Sequence, residues 1–441
     1  MLHTLLFIAV YLIGFILTFV SNSAFSFILY EAVYFFNPLD RWWSYNIPNI
    51  GYSFYTVILM FYAVFIKLRN EPLQNKLLAA PQFKWVYLLL LSYCIAWFYA
   101  VLPNEHLEAT INFIKLVIII SIAYKLIDNS KNLDYALWGY IFGSWYISFL
   151  AWQTGRNSAA RVEGIGTVDS PDSNGIAAAI APSLVICLYY LWRSKNRFAK
   201  LLFVFAGVFI ANALILINSR GSFLATGTSI IYFVLFMYFS SFQQKYQKIT
   251  AVWITILGLS AMLYLADENF IERIKTMQNT EIVAEQETGS TRVIFWESAW
   301  EMAKDYPFGS GLKGFDYYAP DYIPQDVDTG YSRNRSVHST WFEALTEIGY
   351  LGLLLLILMI YTSFKTLRKC FTTLKEKGDF ENYYKVLAIK AALLSFLIAM
   401  SFMNRLRAEI LYWFILYTAC AYNIYVLKPS KGDETVNKDN F

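Results

Sequence analysis

The sequence predicts an all-α fold, a polytopic transmembrane helical bundle of about 12–13 spans that carries one large loop subdomain. Three observations predict it. Of the 441 residues, 57% are hydrophobic and only 15% charged, with a mean hydropathy of +0.42, far from the balance of a water-soluble domain. Apolar stretches of the ~17–25 residues that a bilayer crossing requires recur along the whole chain. Lys and Arg gather in alternate connections between those stretches, the asymmetry that orients a membrane protein.

The apolar cores run over 2–20, 50–66, 84–102, 110–127, 135–152, 174–192, 199–218, 222–240, 249–265, 341–364, 385–404 and 408–427. The first lacks a basic leader and a small-residue cleavage site, so it reads as a retained helix rather than a signal peptide. Residues 22–36 are short for a span and run into the turn-forming Asn37-Pro38, so they form either a thirteenth crossing or a re-entrant piece. The chain starts in the cytoplasm only if they do not cross. Five connections are basic: Lys67, Arg69, Lys76 and Lys84; Lys125 and Lys131; Arg193, Lys195, Arg197 and Lys200; Lys245 and Lys248; and Lys365, Arg368, Lys369, Lys375 and Lys377. These, with the Lys-bearing tail after Leu427, fall on one side, expected to be the cytoplasm. The connections at 103–108, 153–172, 218–221, 266–338 and 404–408 then face outward.

The expected organisation is N-terminal transmembrane helices over 1–265, an outward loop with catalytic residues over 266–338, C-terminal transmembrane helices over 339–427 and a cytoplasmic tail over 428–441. Inside the loop, R-V-I-F-W-E-S-A-W-E-M-A has apolar residues at helical spacing and predicts a helix over 290–304. The Gly-, Pro- and Tyr-rich run 306–331 reads as irregular structure. No internal repeat of the inverted-transporter kind is visible.

Composition also excludes. A net charge of +4 with no basic run interleaved with aromatics gives no case for nucleic acid as a partner. Cys94, Cys187, Cys370 and Cys420 are far apart, without a C-x-x-C pair, so neither a disulfide framework nor a cysteine metal site is expected. The 33 Tyr and 13 Trp suit anchoring at the membrane surface, with sugar stacking as a second use in the outer loops. Asp326 and Asp328, in D-V-D, come close to the acidic pair of a metal-bound nucleotide-sugar site, but no metal is expected.

Chemistry concentrates at the outward face. Arg220 sits in I-N-S-R-G-S-F-L, a tight break between two spans, where a snorkelling anchor is the plainer alternative to a functional cation. Arg292 opens the loop helix, where a solvated helix face is the alternative. His338 precedes a span and is of the residue type that exchanges a proton near neutral pH, although a helix-start His is commonly structural. Glu343 and Glu347, four apart on one helix face, either orient His338 or an arginine, or merely favour the helix dipole. In the connection T-G-R-N-S-A-A-R-V-E-G-I-G-T-V-D-S-P-D-S-N-G-I-A, Asp172-Ser173-Asn174 caps the next span and Arg161 is left over. Arg161, Arg220 and Arg292 together match the bidentate demands of a pyrophosphate.

The S-R-G break, the R-x-x-x-W helix at Arg292 to Trp296, P-F-G-S-G-L-K-G-F at Pro307 to Phe315, and H-S-T-W-F-E-A-L-T-E-I-G-Y-L-G from His338 resemble the O-antigen ligase and polymerase superfamily, with R-V-E-G…S-N-G-I-A at 161–177 similar to its upstream motif. The resemblance covers about 150–365, and the order of the motifs is more specific than any one of them. The front run Tyr30 to Trp43 is similar to exosortase-associated O-glycosylation ligases. The resemblance implies a GT-C-like bundle in the bacterial inner membrane. It implies an inverting transfer, at the periplasmic face, of a glycan from an undecaprenyl-pyrophosphate carrier to an acceptor hydroxyl, with no cofactor, metal or nucleotide sugar. His338 is then the general base, Arg220 and Arg292 stabilise the leaving pyrophosphate, and Arg161, Asn174, Trp296 and Glu347 are candidate substrate-binding residues. Where the resembled motif often has Asn after its His, this chain has Ser339, which puts a role for that amide in doubt. The implied partners are the lipid-linked donor, a lipid A core or other lipid or protein acceptor, and membrane lipids. A polymerase and a protein O-oligosaccharyltransferase share that donor. A flippase is the reading from another class, for which Lys115 and Lys390 are possible mid-span charges; charge concentrated at one face favours the transferase.

Overall fold

All twelve apolar cores are helical in the computed structural model, which describes residues 2–70, 75–157, 161–265, 289–327, 329 and 332–428. The helices are α1 (Leu2–Val20), α2 (Phe25–Phe36), α3 (Tyr52–Asn70), α4 (Pro81–Ala96), α5 (Pro103–Leu126), α6 (Ser130–Thr154), α7 (Ser173–Arg193), α8 (Arg197–Ile217), α9 (Arg220–Phe239), α10 (Gln247–Leu265), α11 (Gly289–Asp305), α12 (Gly314–Tyr322), α13 (Thr340–Glu376), α14 (Phe380–Met400) and α15 (Glu409–Tyr422). Among the described residues nine helices are long and apolar enough to cross a membrane. The protein is a polytopic helical membrane protein. The segments containing α14 and α15 are 83% buried and α1 only 17%, so α14 and α15, with α7 beside α14, make the centre and α1 the rim.

The basic connections all meet at one end. Lys67 pairs with Asp128 at 2.7 Å, Lys385 pairs with Asp134 at 2.7 Å, and Lys375 donates to Ser241 at 2.9 Å. Arg193 donates to Gln244, and Lys428 lies 3.9 Å from Asp128. Lys390 lies over the rings of Tyr232, Phe364 and Phe371, the arrangement of a long cation covered by aromatic surface.

Residues 22–36 pack along α6 from Asn132 to Tyr146. Asn22 donates to Asn132 at 2.7 Å near the basic end, and Phe36 stacks on Tyr146 with centroids 3.9 Å apart toward the other. The start of α1 is therefore at the far end, where His3 meets Trp42 and Phe149. A helix end inside a membrane must satisfy its own carbonyls. Here Asn37 turns left-handed at φ 42°, and Arg41 donates to the carbonyls of Phe36 (2.8 Å) and Phe35 (3.1 Å).

In the loop, α11 over Gly289–Asp305 matches the helix expected over 290–304. The run expected to be irregular contains α12 instead: Phe315, Ala319 and Ile323 fall at helical spacing and pack with Phe295, Ala299, Met302 and Val337 into a small core of their own. Residues 266–288, 328, 330 and 331 lie outside the described residues, and with them Asp328.

This subdomain docks where α13 breaks. Gly349 has φ 69° and ψ −170°, backbone reserved in practice for glycine. Thr346 and Glu347 thereby turn their carbonyls to the N–H groups of Ser310 and Gly311, both at 2.9 Å, while the Tyr350 N–H reaches Pro307 O at 3.1 Å. A Cβ at Gly349 would lie 2.2 Å from Pro307 O. Gly349→Ala is expected to cost about 3 kcal/mol or more and to lower the thermal unfolding midpoint in detergent. An unchanged midpoint would show that the break is not required.

Candidate active site

The far end is built from the breaks between helices. α8 ends at Asn218 (φ 58°, left-handed), and Arg220 opens α9 two residues later. Gly221 packs closely on Phe402: a Cβ there would stand 3.3 Å from that side chain. The Phe402 ring is 6.4 Å from Trp296, which stacks on Phe342 at 5.7 Å and donates its indole N–H to Val337 O at 3.1 Å. Trp296 lies one helical turn beyond Arg292, and Val337 adjoins His338. The three elements that bear Arg220, Arg292 and His338 thus meet around one indole. Arg161 approaches Arg220 closely enough for their charges to repel. Each of these four side chains, like Asn174 and Trp296, is partly buried.

His338 sits at φ 51°, a left-handed position unusual for a residue with a side chain. Asp316, in the first turn of α12, faces it. Burial pushes the Asp316 carboxyl up to about 6, against the opposing pull of His338, Lys313 and a hydrogen bond from Ser336.

Glu343 and Glu347 hold an arginine that sequence reasoning did not single out. Arg407 donates to Glu347 and to the Tyr93 hydroxyl, lies 3.3 Å from Glu343 and sits 5.2 Å over the Tyr93 ring. Burial lowers the Arg407 guanidinium to about 10, with Tyr412 opposing. Glu347 also accepts from Tyr93 and from the Lys313 N–H at 3.0 Å, and Glu343 accepts from the Leu406 N–H at 3.0 Å. Behind Tyr93, His106 stacks at 4.7 Å; its Nδ1 accepts from the Leu312 N–H at 2.9 Å, so Nε2 carries the proton donated to Tyr93 O at 2.8 Å.

Asp172 is the cap of α7, accepting from the Gly175 N–H at 2.9 Å. Asn174 follows in the first turn; Arg405, packed against Gly175, donates to Asp169 O (2.8 Å) and pairs with Asp172 (2.7 Å). Asp169 itself accepts from the Tyr34 hydroxyl at 2.5 Å and the Glu409 N–H at 2.7 Å. Asn404, Arg405, Arg407, Asp316 and Asp169 were all missed. The run N-R-L-R-A-E at 404–409 carries the same signal that singled out Arg220, two cations in a short break between apolar helices. Asp316 and Asp169 carry none.

Two predictions follow from these environments. The folded protein prefers Asp316 protonated, so between about pH 4 and 6 it binds more protons than the unfolded chain and loses stability as pH rises through that window. Asp316→Asn is expected to remove this slope from the pH dependence of the unfolding midpoint; an identical slope in both proteins would sink the assignment. Arg407→Ala leaves two buried carboxylates without their cation and is expected to destabilise by about 3–5 kcal/mol, read as loss of folded protein in detergent; wild-type stability would show that the cluster is not held by Arg407.

Residues 205–357 match a family model described as O-antigen ligase (Wzy_C), a span that takes in Arg220, Arg292, His338 and Glu347 but neither Arg161 and Asn174 nor the 404–407 break. No curated protein matches the chain.

Proposed function

We propose that this chain, whose residues 205–357 match the O-antigen ligase family model, joins a glycan carried on undecaprenyl pyrophosphate to an acceptor hydroxyl at the periplasmic face of the bacterial inner membrane. That match supports glycosyl transfer of the ligase or polymerase type. The observation that carries the finer reading is the meeting, around Trp296, of the elements that bear Arg220, Arg292 and His338, at the end of the bundle opposite the basic loops.

A sugar hydroxyl is a weak nucleophile, so His338 takes its proton as the oxygen attacks the anomeric carbon from the face opposite the leaving group. The bond from that carbon to the pyrophosphate breaks, and negative charge grows on the departing oxygens. Arg220 and Arg292 meet that charge with fixed guanidinium forks. Arg161 adds to them, and an anion between Arg161 and Arg220 relieves their mutual repulsion. Asp316 steadies the imidazolium formed on His338. Trp296 presents an aromatic face to the sugar, and Asn174 supplies an amide at the start of α7. Glu347 acts on the site through Arg407 and Lys313. No metal and no cofactor takes part in these steps.

The acceptor is a lipid A core or another surface hydroxyl. A polymerase or a protein O-oligosaccharyltransferase uses the same donor and differs in what the outward loop admits. Membranes supplied with a defined lipid-linked donor test the reading. His338→Ala is expected to lower transfer by about 100-fold or more, and Arg220→Ala or Arg292→Ala by about 100- to 1,000-fold, at unchanged protein levels. Full activity in His338→Ala would refute the base. The mass of the product separates ligation to a core from chain extension and from a glycoprotein.

A further inference from the structure

Helix α13 starts immediately after His338, yet its capping residue, Ser339, makes no side-chain capping bond. Something else must hold the start of the helix and the left-handed turn at His338 before it. The short connection between α14 and α15 does so. Asn404 Oδ1 accepts from the Ser339 N–H at 3.1 Å, and Asn404 Nδ2 donates to Ser336 Oγ at 2.8 Å. One amide therefore grips the chain on both sides of His338. Next to it, the Thr340 hydroxyl donates to Met403 O at 2.8 Å and accepts from the Arg405 N–H at 2.9 Å.

The amide does more than brace the backbone. The Ser336 hydroxyl has one proton, and it bonds the Asp316 carboxylate. Its oxygen is then left to accept, and Asn404 Nδ2–H is the donor that fills it. The order Asn404 to Ser336 to Asp316 has a direction, ending on the carboxylate that faces His338. We propose that Asn404 is a positioning residue for the transfer reaction: it fixes the His338 turn through Ser339 and aims Asp316 at the imidazole through Ser336.

This rests on the reading of His338 as the base, and the test separates the two. Transfer from the defined lipid-linked donor is measured for wild type, Asn404→Leu, His338→Ala and the double variant, with kcat, donor KM and the pH dependence of kcat. Asn404→Leu is expected to lower kcat by about 10- to 100-fold with donor KM unchanged, and to displace the acid limb of the kcat profile. In the His338→Ala background the same change is expected to cost nothing further. An equal loss in both backgrounds, an unmoved acid limb, or wild-type kcat in Asn404→Leu would overturn the positioning role. Full activity in His338→Ala alone condemns the base assignment itself, a separate result. Asn404→Asp keeps the shape and the acceptor for the Ser339 N–H, but it has no proton to give Ser336. It folds as wild type and is expected to be as slow as Asn404→Leu; wild-type activity there would remove the Ser336 relay.

Discussion

The Arg407 guanidinium, held between Glu343 and Glu347 inside the protein, is the interaction from which the end of the bundle opposite the basic connections is assembled. Two carboxylates one helical turn apart cannot both stay charged in a buried place without a cation beside them. Arg407 supplies it, and in doing so it fastens the connection between α14 and α15 to the first turns of α13. Tyr93 joins from α4, and the Lys313 N–H brings in the loop subdomain. Four segments that are distant in the chain are tied at one point. Ion clusters of this kind are costly to bury and more costly to break, which makes them good determinants of a single arrangement.

Around that knot, the break at Gly349 converts two carbonyls of α13 into a docking edge for 310–311. The loop subdomain is held by main-chain hydrogen bonds as well as by its own small core of Phe295, Phe315 and Val337. The same core sets Trp296 against Phe342 and Val337, and Phe402 carries the contact on to Gly221. Packing of this sort suits the proposed transfer reaction, because cations arranged in advance for a developing charge stabilise it without reorganising.

The opposite end has a different task. There Lys67, Lys385 and Lys428 pair with Asp128 and Asp134, and Arg193 and Lys375 bond polar groups of the α9–α10 connection. These contacts lie where basic residues were expected to collect, and they close the bundle at that end. The basic connections and the candidate site thus lie at opposite ends of one molecule.

Sequence alone determined the helical class, the twelve apolar cores and the helix expected over 290–304, because apolar runs and their spacing are local features that a bilayer makes costly to misplace; it also singled out Arg220, Arg292 and His338 as isolated ionisable residues at the breaks. Tertiary structure alone decided where residues 22–36 lie, since a 12-residue helix of about 18 Å is too short for its length to settle the matter and its place is fixed by partners such as Asn132 and Tyr146. It alone decided that Glu343 and Glu347 serve Arg407 and that Asp316 and Asn404 surround His338. A carboxylate or an amide has no preferred partner written beside it in the chain. Its partner is whichever group the folded helices leave within 3 Å or so, and for these residues that group comes from a segment many tens of positions away.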